Sequence, residues 1–184
     1  MKHIASCSGG KDSVATLILA KIHREPIDEV FYCEVMYDDE LSGERPEHRG
    51  FVYNVLKPWV ENELKVPFVV LRSEKNLVNC FNASVVRGPD KGLKRGFPLA
   101  GRCYVNRDSK LRPIRQYLKE FDGLEIMQYV GIAADEPHRL LRLENTNKVS
   151  LLAKYGYAES DAKELCEEYG LLSPIYQFTN RNGC

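Results

Sequence analysis

Between residues 8 and 13 the sequence reads Ser8-Gly9-Gly10-Lys11-Asp12-Ser13, a set of residue types suited to holding an anion. Two consecutive glycines let the backbone turn tightly and bring its N–H groups against a ligand, and a helix that follows adds the positive end of its dipole. Ser8 and Ser13 offer hydroxyl donors, Lys11 a mobile ammonium, and Asp12 a carboxylate able to organise the loop or hold a magnesium ion. The segment is not a Gly-x-x-x-x-Gly-Lys-Ser/Thr loop, because Asp12 follows Lys11, and Cys7, Ser8 and Gly9 precede Gly10. Taken alone, Gly-Gly-Lys also fits an ordinary strand-to-helix turn with Ser8 as its cap and Lys11 in solvent.

A second group follows Gly131: Glu136, Arg139 and Arg142 fall at the expected C-terminal edge of a parallel strand, where ligands of open α/β sheets bind. Guanidinium groups there suit phosphate or sulfate through paired hydrogen bonds. The alternative is a solvated, charged helix start, and His138 beside Pro137 reads as a surface residue. Six cysteines, Cys7, Cys33, Cys80, Cys103, Cys166 and Cys184, are scattered without a Cys-x-x-Cys pair, which is not a disulfide framework. Cys7, Cys33 and Cys166 lie in apolar patterns and read as small buried hydrophobes. Cys103, flanked by Arg102 and Arg107, is either a partly buried loop thiol or a reactive or metal-binding one. Together with Cys184 it supplies two thiolates of the four or so that a zinc or iron–sulfur site takes, so any such site is incomplete in this chain.

The elements that must position these residues follow from periodicity. A strand is expected over His3 to Cys7, then a helix to about Arg24 with Val14, Leu17, Ile18 and Ile22 on its buried face. Glu29 to Tyr37 reads as a second strand running into Asp38-Asp39. A helix from about Pro46 to Leu64 carries a stripe of Phe51, Val52, Val55, Leu56, Trp59 and Val60, with a kink expected at Pro58. Val66 to Leu71 is a continuous apolar run of the kind shown by strands covered on both faces. From about Ser84 to Asp108 a long glycine-rich loop carries Arg87, Lys91, Lys94, Arg95 and Arg102. A helix over Arg112 to Phe121, a strand over Ile126 to Ile132 and a helix over Asp161 to Tyr169, capped by Ser160, complete the pattern. Alternation of this kind argues for an α/β fold with an open, mostly parallel sheet.

The chain has 184 residues and equal numbers of basic and acidic side chains, 26 of each, so nothing global draws it to nucleic acid or anionic lipid. Local contact is a separate matter, because the basic glycine-rich loop is suited to touching nucleic-acid phosphates. The length suits one domain, 1–184, and no interdomain linker is visible. No apolar stretch approaches the roughly 20 residues that span a bilayer, and the N-terminus runs straight into a strand, so neither membrane insertion nor secretion is expected. With six dispersed cysteines the natural compartment is the cytoplasm.

The full hexapeptide in its strand-to-helix setting resembles the pyrophosphate loop (PP-loop) of the adenine nucleotide alpha-hydrolase superfamily, Ser-Gly-Gly-x-Asp-Ser, and Ser8, Gly9, Gly10, Asp12 and Ser13 all match. The rest of the chain looks most like the phosphoadenosine phosphosulfate (PAPS) reductase family in the broad sense, including its relatives in DNA phosphorothioation. The counterparts are Glu47, then Cys103 with Lys110 and Pro113, then the segment from Gly131 to Arg139. The resemblance implies a three-layer, HUP/Rossmann-like sheet with helices on both faces. It also implies ATP or an adenylyl sulfate as the nucleotide, and chemistry at the α-phosphate or the sulfuryl group. In that reading Ser8 to Ser13, Glu136, Arg139 and Arg142 bind the nucleotide, and Lys11, Asp12 and Cys103 are the candidate catalytic residues. A redox or sulfur-donor protein is an implied partner. A half-enzyme completed by such a partner, or a nucleic-acid thiolation enzyme, is the alternative.

Two departures from the family pattern stand out. The Arg customary after Gly-Ile is replaced by Ala133, and the C-terminal Glu-Cys-Gly-Leu-His segment that carries the reductase nucleophile is missing. The chain stops instead at Asn182-Gly183-Cys184, which reads as a cut inside a cysteine motif.

Overall fold

The computed structural model describes residues 1–97 and 103–179; Arg102 and Cys184, singled out above, lie outside them. The described residues pack as two compact units. Met1–Tyr32, Pro46–Val69 and the described residues from Gly123 to Thr179 form the first unit, and Cys33–Arg45 with the described residues of Val70–Asp122 the second. Among the described residues no helix is long and apolar enough to cross a membrane.

The sheet is built on β1 (Lys2–Ser6), whose Ile4 and Ala5 are fully buried. On one side β1 pairs in parallel with β2 (Glu29–Glu34), and on the other with β4 (Ile126–Tyr129). β3 (Phe68–Arg72) and the short β5 (Lys148–Val149) are the edges, giving the order β3-β2-β1-β4-β5. From β1 the chain therefore runs outward through β2 and β3, then crosses back to β4 and β5. That reversal opens a crevice outside the carboxyl ends of β1 and β4.

β3 is an edge strand with only Phe68 buried, so the expectation of a strand covered on both faces fails there. Its apolar run is partly covered because it has a neighbour on one side only. β5 and the helix after it, α7 (Leu151–Tyr155), carry too short a pattern to show in the sequence.

The crossover helix α1 (Lys11–His23) is buried continuously from Ser13 to Ala20 and packs against α7 and α8 (Glu159–Glu168). A helix enclosed on all sides buries more than a stripe. Ile22, expected on that stripe, lies where the helix emerges and is 45% exposed. The helix ends as Arg24 takes the left-handed conformation at φ 56°. At α8 the expected cap Ser160 is displaced: the Asp161 carboxylate accepts from the Ala158 N–H at 2.8 Å, which caps the helix two residues earlier.

The helical run that begins with α2 (Pro46–Phe51) passes through π-type turns at Val52–Leu56, a short α3 (Lys57–Trp59) and further π-type turns at Val60–Leu64. Pro58 explains the first of these. A proline inside a helix has no N–H and crowds the carbonyl four residues back, and a widened turn in which the Lys57 N–H reaches the Val52 carbonyl relieves both problems. The widening sets the buried face at every fourth residue, Val52, Leu56 and Val60, and leaves Val55 42% exposed.

In the second unit the same device recurs before Pro113. Residues Asn106–Leu111 are π-type, with the Arg112 N–H donating to the Arg107 carbonyl, and α5 (Arg112–Lys119) follows. Helix thus begins several residues earlier than the expected Arg112, by Tyr104. The core of this unit is Val35, Cys80 and Val105, with Leu77 of α4 (Leu77–Asn82) and Tyr104 against them. Glu34 is fully buried and accepts from the Arg72 guanidinium at 2.7 and 2.9 Å.

The closest approach in the first unit is at Gly131, just beyond β4. A methyl group built there would lie 2.6 Å from the backbone of Asp12 and Ser13. Gly131→Ala is expected to lower stability by about 1–3 kcal/mol, the usual cost of overpacking. Gly50→Ala in α2, where a methyl group meets nothing nearer than 4.0 Å, should be neutral or stabilising by about 0.5–1 kcal/mol. Urea denaturation of the two variants separates crowding from glycine loss in general.

Candidate functional site

The loop after β1 is shaped by its glycines and by groups reaching in from elsewhere in the first unit. Gly9 is left-handed at φ 75°, and a methyl group on it would strike Val52 at 2.7 Å and His48 at 2.9 Å. His48 is buried and bridges the loop to the C-terminal segment. One ring nitrogen lies 3.1 Å from the Ser8 carbonyl, the other 2.8 Å from the Ser173 hydroxyl. Since a carbonyl only accepts, Nε2 carries the proton toward Ser8, and Nδ1 takes the Ser173 O–H. His48 was not singled out in the sequence, where one histidine beside the expected Glu47 carries no signal; Glu47 itself is exposed.

Ser13 closes the loop internally. Its hydroxyl donates to the Gly10 carbonyl at 2.9 Å and accepts from the Ser8 N–H at 3.1 Å. The Lys11 N–H donates to the Tyr176 hydroxyl at 2.9 Å. Tyr176 comes from the turn Pro174–Gln177, more than 160 residues along the chain, and burial pushes its phenol up to about 12. Beneath the loop Cys166 donates its thiol to the Lys11 carbonyl at 3.3 Å. Burial raises the Cys166 thiol to about 12 and raises Cys7 as well, so both remain thiols that pack and support the loop, as their apolar surroundings suggested.

These elements border a cleft of about 530 Å³ lined by Ser8, Gly10, Lys11, Asp12, Ser13, Gly131, Glu136, Arg139, Glu159 and Tyr176. The structure thus brings Glu136 and Arg139 to the same cleft as the loop. It leaves Arg142 exposed outside that lining, and Gly9 turned against His48 and Val52. Glu159, at the start of α8, and Tyr176 complete the lining without having been read from the sequence. His138 is exposed.

Charges in the cleft are paired. The Lys11 ammonium lies 2.7 Å from Asp12 and 3.5 Å from Glu159. The Arg139 guanidinium reaches Glu136 at 2.5 and 2.7 Å, while Glu136 also accepts from the Ala133 N–H at 3.1 Å. The Ala133 that stands in place of a customary arginine therefore meets this network through its backbone. An incoming anion must draw Lys11 and Arg139 from carboxylates; among the first-turn N–H groups of α1, which have no partner within the helix, that of Lys11 is taken by Tyr176, and those of Asp12 and Ser13 are the donors that need no such exchange.

Cys103 belongs to the second unit and is exposed, not half-buried. Its sulfur accepts from the Asn106 N–H at 3.3 Å, and the neighbouring Arg107 guanidinium is held by Asp108 at 2.7 Å. Among the described residues no three His, Cys, Asp or Glu side chains cluster closely enough to hold a metal ion. Among these residues Cys103 therefore has no ligand set that fits a zinc ion or a cluster.

Burial raises the Asp12 carboxyl above its ordinary value; Lys11 pulls it down, and Glu159 and Glu136 add to the rise. A carboxyl raised on folding contributes stability below its unfolded value, about pH 4, and loses it as pH climbs through the folded one. Asp12→Asn cannot ionise, so its stability relative to the parent is expected to improve from pH 3.5 to pH 7. Thermal denaturation across that range checks it, and a difference that stays constant with pH would contradict it.

No protein-family model matches the sequence, and no curated protein matches it. A search of solved structures finds the PAPS reductase from Candida auris in its phosphate complex, with a TM-score of 0.59 and 9% sequence identity. The match covers 100% of this chain and 80% of that one. At such low identity the agreement speaks to backbone architecture, and it extends over the whole chain: the protein has a PAPS reductase-like PP-loop fold.

Proposed function

We propose that the cleft binds an adenine nucleotide, ATP or an adenylyl sulfate, and that the chain is an enzyme acting at the α-phosphate or the sulfuryl group. The observation that carries this reading is the convergence of Ser8, Gly10, Lys11, Asp12 and Ser13 with Gly131, Glu136 and Arg139 in one cleft at the end of β1 and β4. Its volume, about 530 Å³, lies within the range of small-molecule sites. The similar reductase from Candida auris was solved with phosphate, in keeping with a phosphate-accepting fold.

In this reading the first-turn N–H groups of Asp12 and Ser13, donors already in place, hold the phosphates together with the Lys11 ammonium. Arg139 leaves Glu136 to meet a phosphate or sulfate oxygen, and Lys11 exchanges Asp12 and Glu159 for the ligand. When the nucleotide is ATP, an acceptor oxygen bonds to the α-phosphorus and becomes an adenylate as the bond to the β-phosphate breaks and pyrophosphate leaves. When it is an adenylyl sulfate, a thiolate of a redox or sulfur-donor protein attacks sulfur and becomes its S-sulfonate as the adenosine phosphate leaves.

Calorimetric titration with ATP, PAPS and AMP tests the proposal. ATP or PAPS should bind, AMP should bind more weakly for want of the extra anionic group, and Lys11→Ala should cost tenfold to a hundredfold in affinity, about the worth of one charged hydrogen bond. Absence of binding by all three nucleotides would overturn it.

A further inference from the structure

One stretch of the second unit is strongly basic in a chain whose net charge is zero. From Arg87 to Lys119 there are ten Lys or Arg and two acidic residues, Asp90 and Asp108. Of these two Asp108 is buried and already committed to Arg107 and Arg95. Within that stretch Asp90 is the acidic residue left to the remaining cations.

What looked in the sequence like a long basic loop is, over its described part, an ordered ribbon. The Val85 N–H donates to the Leu93 carbonyl at 2.8 Å, the Gly92 N–H to the Val85 carbonyl at 2.9 Å, and the Arg95 N–H to the Ala83 carbonyl at 2.9 Å. Ser84 and Lys94 face each other in an antiparallel bridge. The turn is made by Gly88 and Gly92, at φ 89° and 91° with open space where a side chain would be, and Arg87, Lys91 and Lys94 are exposed along it. Arg95 ties the base of the ribbon to the helical run after it, through Asp108 at 3.5 Å and the ring of Tyr104.

An aromatic ring accompanies the cations. Phe97 packs against Phe81, centroids 4.8 Å apart, yet is 58% exposed. An exposed ring beside a row of cations is the combination that single-stranded nucleic acids engage. The cations take backbone phosphates, and the ring offers a stacking face to any base.

We infer that the ribbon from Ala83 to Phe97 is a binding surface for single-stranded nucleic acid, with Arg87, Lys91 and Lys94 on the phosphates and Phe97 stacked on a base. This surface is independent of the nucleotide reading of the cleft. Fluorescence anisotropy of the whole chain with a labelled 20-nucleotide single strand, of RNA and of DNA, tests it. Binding is expected to weaken with salt, log affinity falling with a slope of about two for three phosphates neutralised on a single strand. The triple variant R87E/K91E/K94E should lose at least about tenfold in affinity at low salt and flatten that slope. F97A, which keeps every charge, should lose about fivefold or more at all salt concentrations.

Urea denaturation of both variants accompanies the titrations, and F97A and the salt dependence of the parent protein stand as readouts if the triple variant fails to fold. No binding by the parent protein at low salt overturns the inference. So does binding that F97A and the triple variant leave unchanged, or a duplex of the same length bound as tightly as the single strand. Binding to anionic lipid vesicles with none to the oligonucleotides overturns it equally.

Discussion

The site depends on a backbone squeezed from two directions. The loop after β1 turns at Gly9, where His48 and Val52 leave no room for a methyl group, and its helix begins against Gly131, where the backbone of Asp12 and Ser13 leaves none either. Protein interiors transmit such contacts because they are close-packed. With both positions empty of side chain, β4 ends directly against the first turn of α1, and the segment after β4 delivers Glu136 and Arg139 to the loop. A side chain at either glycine would push these groups apart.

Hydrogen bonds from remote parts of the chain then hold the loop in that shape. His48 fixes the Ser8 carbonyl, Tyr176 takes the Lys11 N–H, and Cys166 supports the Lys11 carbonyl. Each would cost free energy if left unmade in a buried setting, so the loop is ordered before any ligand arrives. The cleft's ionic groups, by contrast, satisfy one another. Preorganised backbone donors beside exchangeable ion pairs form a site that keeps its shape while its charges are redistributed.

The two prolines inside helical runs show how local chemistry sets which residues face inward. Pro58 and Pro113 each follow a stretch of π-type turns, and the wider turn moved Val55 out to solvent while Val52, Leu56 and Val60 went in. A reading at 3.6 residues per turn places Val55 on the buried stripe, and does so for a sound reason that the proline overrides. The pairing of buried Glu34 with half-exposed Arg72 and the capping of α8 by Asp161 rather than Ser160 are of the same sort. Each depends on a partner whose position periodicity does not report.

By itself the sequence determined the parts of this protein whose physics is local. The strand, glycine turn and helix around Ser8 to Ser13 were legible because glycine spacing and apolar periodicity act over a few residues, and the alternation of elements implied the parallel sheet. It also marked Glu136 and Arg139, since they follow the end of an apolar strand. Tertiary structure alone decided which distant groups complete the cleft. Glu159 and Tyr176 join it, His48 locks it and Arg142 stays outside, because groups that meet across 40 to 165 residues leave no pattern in a single chain. It decided too that the basic loop is a hairpin from Ala83 to Arg95, since antiparallel pairing of Val85 with Gly92 and Leu93 is made by backbone groups common to every residue.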